Sequence, residues 1–209
     1  IKNITNWYKD GSSIAVLNMP FENNGTSTLH DYSGYGNGGT VSGATWSSTG
    51  GYDGKGAYNF ITNDYIYTQP ISIPTDITMS VWVYSTNYDQ NGFIISKMPV
   101  NQQWELFFHS SNQIYLRGAS EGVSVTAPLP SNSQWHHIVG TISGTNGGIY
   151  VDGQLVGSGT VTAIANGMSS GTNDIVIGCY DKGSNFCFDG LFDEVMVFNR
   201  SLSEEQIQA

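Results

Sequence analysis

Charge is scarce in this chain. Only 11% of its 209 residues are Asp, Glu, Lys or Arg, against roughly a quarter in an average soluble domain. Cationic residues are the scarcest: seven Lys and Arg stand against 17 acidic residues, for a formal net charge of −10. With no basic stripe to displace counterions, nucleic acid and anionic membranes are poor partners. Cysteine is limited to Cys179 and Cys187, too few for a zinc quartet and too far apart for a CxxC redox pair. No apolar run reaches the about 18 residues that span a bilayer. The chain also opens without the basic segment and apolar core of an export signal, so any such signal is expected upstream or removed. G-x-S-x-G, H-E-x-x-H and phosphate-loop motifs are missing as well.

Glycine, aromatics and small polar residues fill the space that charge leaves. There are 26 glycines, and 12% of residues are aromatic; solubility rests on Ser, Thr, Asn and Gln, a surface typical of extracellular β-proteins. Short β-branched and aromatic runs recur between turn residues, among them "ITMSVWVYS", "WELFFH", "QIYLR", "WHHIVGTIS" and "LFDEVMVF". Asp152-Gly153 is a hairpin signal that puts Tyr150 and Val156 on adjacent antiparallel strands. One short C-terminal helix is expected in "SLSEEQIQ", with Ser201 and Glu204 at capping-box spacing. About ten strands with no helical pattern between them predict an all-β, two-sheet antiparallel β-sandwich or jelly roll. Residues 1–13, with a turn at Asp10-Gly11, read as the tail of a preceding domain or a linker, and 14–209 as the sandwich domain.

The stretch "DYSGYGNGG", Asp31 to Gly39, has the composition of a cation loop. Glycines let backbone carbonyls turn inward while a side chain supplies negative charge, and calcium takes about 6 to 8 oxygen ligands. Asp31 and Asn37 with nearby carbonyls supply part of such a shell; the alternative is an ordinary surface loop. Cys179 and Cys187 flank a polar loop that a local disulfide would steady, the alternative being two free thiols in a reduced compartment. Asn3, Asn24 and Asn199 begin N-glycosylation acceptor patterns, short enough to match by chance.

Taken together, "LNMPFENNGTSTLHDYSGYGNGGTVSGATW", "GKGAYNFITNDYIYT", "ITMSVWVY", "WHHIVGTISG", "GIYVDGQLV" and "GLFDEVMVFNRSLSEEQI" resemble the laminin-G-like, concanavalin-type jelly-roll domains. The resemblance implies that the glycine-rich loop and the closing Asp-Glu strand meet at a calcium ion. Asp31 and Asp193 would then be carboxylate ligands, with Asn37 beside them and Glu22 a further addition. A carboxylate such as Asp193, set between apolar residues, is costly without a partner. A cation removes that cost; so would backbone amides.

The fold implied includes glucanases, so activity has to be read from residues. No strand carries two acidic residues at the same-face spacing a glycosidase pair needs, and Asp193 and Glu194 are expected to point to opposite faces. Binding is the expected role, and no enzyme is expected. Alternation puts Trp104, Leu106 and Phe108 on one face, leaving Glu105, Phe107 and His109 on the other with Tyr115 and Arg117 of the next strand. These five residues form the expected ligand patch, facing carbohydrate or a cell-surface glycoprotein; the alternative is a solvated sheet face. His136 and His137 read as structural, one pointing inward and one outward. The reading overall is a calcium-stabilised extracellular binding module; the alternative is an adhesive module contacting neighbouring domains or copies of itself.

Overall fold

In the strand Ile77–Tyr84 every second side chain, from Ile77 through Met79 and Val81 to Val83, is buried, while Ser80, Trp82 and Tyr84 are half-buried. A two-residue period of this kind lays one side of a strand on a core and turns the other outward. The same alternation in Gln113–Arg117 buries Ile114 and Leu116. Strands built this way must pair and stack, and they do so as two antiparallel sheets. The structure, a computed structural model, describes residues 6–25, 28–72, 75–88, 90–97, 104–119, 123–164, 174–182 and 186–208.

The first sheet runs, in spatial order, Ser124–Pro128, Gln113–Arg117, Trp104–His109, Gly92–Lys97, Asp174–Ile177, Tyr65–Pro70, Gly39–Ser42 and Thr28–Leu29. The second runs Gln154–Thr160, Asn146–Val151, Trp135–Ser143, Ile77–Tyr84, Gly190–Phe198, Ala57–Phe60 and Thr45–Ser47, with Ala15–Met19 paired to Gly190–Phe198. Between them lies one continuous core that includes Trp104, Phe108, Tyr58, Phe60, Phe188 and Phe192. The expected all-β sandwich is the observed fold.

The closing strand, Gly190–Phe198, changes partners along one edge. Gly190 to Phe192 pair with Ala57–Phe60, and Val195 to Phe198 pair with Ala15–Met19. Asp193 and Glu194 fall at the changeover, where the register against Ile77–Tyr84 also shifts and Glu194 takes φ 52. This bulge breaks the two-residue period.

Both expected hairpin turns form: Asp10 and Gly11 at φ 51 and 80 join Tyr8–Lys9 to Ser12–Ser13, and Asp152 and Gly153 at φ 51 and 78 join Asn146–Val151 to Gln154–Thr160. Positive φ at both central positions suits the twist of the strands they connect. Trp7 packs on a small second cluster of Ile14, Ala15 and Phe198. The C-terminal helix, Glu204–Gln208, is capped two residues later than its sequence suggests. Ser203 Oγ accepts from Gln206 N, and Gln206 Oε1 accepts from Ser203 N, so Ser203 and Gln206 form the box and Ser201 and Glu204 do not. Among the described residues no helix is long and apolar enough to cross a membrane.

Candidate functional site

At the changeover of the closing strand three carboxylates converge. One oxygen each of Glu22, Asp53 and Glu194 lies within 4.8 Å of the others. The loop Gly51 to Gly56 delivers Asp53, and it is folded tightly on itself by Gly51 N donating to Lys55 O at 2.8 Å and Lys55 N donating to Asp53 Oδ1 at 3.0 Å. Its glycines are required by close approach: a Cβ on Gly56 would stand 2.1 Å from Phe21 O, and one on Gly51 2.7 Å from Asp193 Oδ2. Phe21, at φ 55, and Glu194, at φ 52, hold left-handed backbone on either side of the trio, a conformation that costs energy for a side chain with a Cβ. Lys55 Nζ stands 3.3 Å from Asp53 Oδ2.

Asp193 itself is fully buried, with Oδ2 accepting from Tyr52 N at 3.1 Å and Oδ1 from Glu194 N at 2.8 Å. These two backbone amides are among the partners that meet its polar demand. Asp193 and Glu194 both reach the Gly51 to Gly56 loop, which corrects the expectation that they serve opposite faces; the bulge is the reason.

Asp31 has a different environment from the trio. Its Oδ1 accepts from Asn18 N and Ser33 N, both at 2.9 Å; its Oδ2 accepts from Ser33 Oγ at 2.6 Å and Asn37 N at 2.9 Å. Asn37 Nδ2 donates to Val16 O at 2.7 Å. The glycine-rich loop is thus held in one shape by a buried carboxylate gripping amides. Of the four residues expected at the cation, Glu22 is the one gathered into the carboxylate trio. Asp53 and Glu194 complete it; the Asp-Gly step at Asp53 was the available sequence signal, whereas the bulge at Glu194 has none.

The expected ligand patch does assemble on the outer face of the first sheet. Phe107 stacks on Phe93 at 4.5 Å between ring centroids and on Tyr115 at 5.3 Å, and the His109 ring lies 4.9 Å from that of Tyr115. The Arg117 guanidinium carbon sits 4.6 Å above the Phe107 ring, while its Nη1 reaches Glu105 Oε2 at 3.4 Å and its Nε donates to Ser124 Oγ at 3.2 Å. Two members are not surface groups, however: Glu105 and Phe107 are each only 2% exposed. Arg117 covers them from one side, and the disulfide loop covers their neighbour Phe93 through Tyr180, whose ring is 5.0 Å away. What faces outward is Tyr115, Arg117 and His109.

That loop is closed by a Cys179–Cys187 disulfide. Ser96 Oγ donates to the carbonyls of Cys179 and Tyr180, and Lys182 Nζ lies 4.1 Å above the Tyr67 ring while pairing with Asp174. Glu105 and Asp174, the carboxylates supplied by the strands of this sheet, are each paired with a cation.

On the outer face of the second sheet, Tyr52 stacks on Trp82 at 3.3 Å and Trp82 on His137 at 5.2 Å. His137 shares a hydrogen bond with Ser80 Oγ, and burial lowers its pKa to about 4 against a weaker upward pull from Asp152. His136 turns inward, 2.7 Å from Asp152 Oδ2. One histidine thus points inward and the other outward, as strand alternation suggests. Of the glycosylation patterns, Asn3 lies outside the described residues, Asn24 is exposed and Asn199 is half-buried.

This arrangement defines a class: an antiparallel jelly-roll sandwich with a solvent-facing aromatic and charged sheet surface. Residues 60–208 match the family model of the concanavalin A-like lectin/glucanases superfamily, and the chain belongs to it. Among curated proteins no sequence relative matches. Among solved structures the fold is shared with domain 4 of AbnA, a GH43 extracellular arabinanase from Geobacillus stearothermophilus in complex with arabinotriose; the TM-score is 0.72 at 17% identity, covering 93% of this chain and 96% of that one. It is shared with the binding domain of Paraclostridial Mosquitocidal Protein 1, at TM-score 0.70, 18% identity and coverages of 93% and 51%. The receptor binding domain of botulinum neurotoxin type G gives TM-score 0.67, 21% identity and coverages of 93% and 50%. This chain therefore spans about half the length of the toxin domains it matches. At these identities the likeness is one of fold.

Proposed function

We propose that this chain is a secreted carbohydrate-binding module that recognises its ligand on the outer face of the first sheet. The observation that carries the reading is the outward set of Tyr115, Arg117 and His109 on a rigid stack of Phe107 and Phe93. A sugar is bound by an aromatic plane against its C–H face and by directional donors to its hydroxyls. Tyr115 offers the plane, and Gln113 and Thr126, half-buried beside it, offer the polar groups. Arg117 adds preference for carboxylate or sulfate substituents, since a guanidinium matches their geometry. Binding is favoured over hydrolysis because both strand carboxylates of this face are tied to cations, whereas a glycosidase needs two carboxyls available across one bond.

Calcium belongs to the same proposal. The donor set of Glu22, Asp53 and Glu194 fits a hard cation, being all oxygen and triply negative within 4.8 Å. A bound calcium ion would neutralise that charge and tie the Gly51 to Gly56 loop to the closing strand.

A glycan array with the wild type and Tyr115→Ala tests the binding reading. Loss of about tenfold or more in affinity with an unchanged melting temperature is the expected outcome, the size typical of removing a central aromatic contact. Equal binding by both proteins would place recognition elsewhere.

A further inference from the structure

We propose that the cavity at the disulfide-bridged end of the sandwich is a second binding site, one that takes an uncharged sugar residue. It goes beyond the sheet-face reading in both place and ligand.

The cavity measures ≈ 320 Å³ and is lined by Thr62, Asn63, Gln90, Asn91, Phe186 and Asp189 together with Cys187. That volume is at the lower end of the about 300 to 1,000 Å³ typical of small-molecule sites. Its walls are fixed before any ligand arrives. On one side Ile61 N donates to Asp64 Oδ2 at 3.0 Å and Asp64 N to Ile61 O at 2.9 Å, a turn that holds Asn63 at φ 70. On the other side the disulfide anchors Cys187, and Phe93 N donates to Phe186 O at 3.3 Å. Cys179 joins the two walls, being bonded to Cys187 and lying with its Sγ 3.1 Å from Asp64 O. Preorganisation of this kind removes an ordering cost from binding.

The polar groups are arranged for hydroxyls. Gln90 commits its amide nitrogen to the carbonyls of Asn87, at 2.8 Å, and Asp189, at 3.3 Å, so it presents an acceptor oxygen. Asn91 commits its side-chain oxygen to Ser110 N at 3.1 Å, so it presents donor N–H groups. A donor and an acceptor on consecutive residues match a hydroxyl, which both gives and accepts. Phe186 contributes a ring that is 46% exposed, the flat apolar surface a sugar face requires. Among the described residues no Lys or Arg lines the cavity, and the exposed Asp189 repels anions. Uronates and sulfated sugars are disfavoured here, the reverse of the preference set by Arg117.

The test is a glycan array with the oxidised protein, Phe186→Ala, Gln90→Ala and Tyr115→Ala, followed by amide chemical-shift mapping with one neutral hit. Neutral oligosaccharides should bind the wild type, lose at least fivefold in affinity in both cavity variants, and shift the amides of Asn63, Asn91 and Asp189. Both substituted side chains make solvent-exposed contacts, so melting temperatures should match the wild type; if Phe186→Ala melts lower, Gln90→Ala decides. Neutral glycans that bind all cavity variants equally, shifts confined to other residues, or no neutral glycan bound at all would each overturn the assignment. Loss in Tyr115→Ala alone would reject this cavity and keep the sheet-face reading; loss in the cavity variants alone would do the opposite.

Discussion

His137 shows how one residue's surroundings set a pH dependence. Its ring is stacked against Trp82 and bonded to Ser80, and burial lowers its pKa to about 4. An unfolded chain takes up that proton near pH 6.5, so between about 6.5 and 4 the unfolded state binds more protons than the folded one. Stability is therefore full above that window and falls as pH drops through it. Urea unfolding should give a wild type less stable at pH 5 than at pH 7 by about 2 kcal/mol, and His137→Gln should remove most of that difference whatever its own stability. A wild type equally stable at both pH values would refute the assignment. That one histidine turns inward and one outward was legible from strand alternation. The sign of the pH effect was not, because it depends on Trp82 and Ser80, about 55 positions earlier in the chain.

At the scale of elements, the loop closed by Cys179 and Cys187 acts as a lid on the outer sheet face. Ser96 holds two of its carbonyls, Tyr180 packs on Phe93, and Lys182 lies over Tyr67. Alternation in "WELFFH" and "QIYLR" correctly assigned both faces of two strands. It could not foresee that Glu105 and Phe107 are buried, since Arg117 folds over them and their neighbour Phe93 is covered by a segment more than eighty residues further on. The bulge at Asp193 and Glu194 was hidden for a related reason: a two-residue period is a rule within one strand, and the bulge arises where that strand exchanges neighbours. The lid makes a specific prediction. Replacing both cysteines by alanine should lower stability by about 2 to 3 kcal/mol through the entropy returned to the unfolded chain. It should also expose Phe93, now 5% accessible, which increased binding of an apolar dye would report. Unchanged stability and dye binding would show that the side-chain contacts hold the loop without the bond.

The whole molecule carries a formal net charge of −10, yet three of its carboxylates are drawn together where two partner strands meet along one side of the closing strand. Folding brings those charges closer than they are in the extended chain, a repulsion the folded protein has to balance, and the Lys55–Asp53 ion pair contributes to that. A cation bound to the folded state alone reverses that balance and stabilises by mass action, about 2.7 kcal/mol at a hundredfold excess over Kd. For a domain near 200 residues this corresponds to a melting shift of about 5 to 10 °C. Calcium should therefore raise the melting temperature of chelator-treated protein in a concentration-dependent way. Asp53→Asn combined with Glu194→Gln should abolish the response. Asp31→Asn separates this origin from the glycine-rich loop: it weakens the grip on Asn18, Ser33 and Asn37 and lowers the melting temperature with and without calcium alike. If the calcium response survives the double variant but disappears in Asp31→Asn, the ion is held at the glycine-rich loop and the carboxylate trio is not its site.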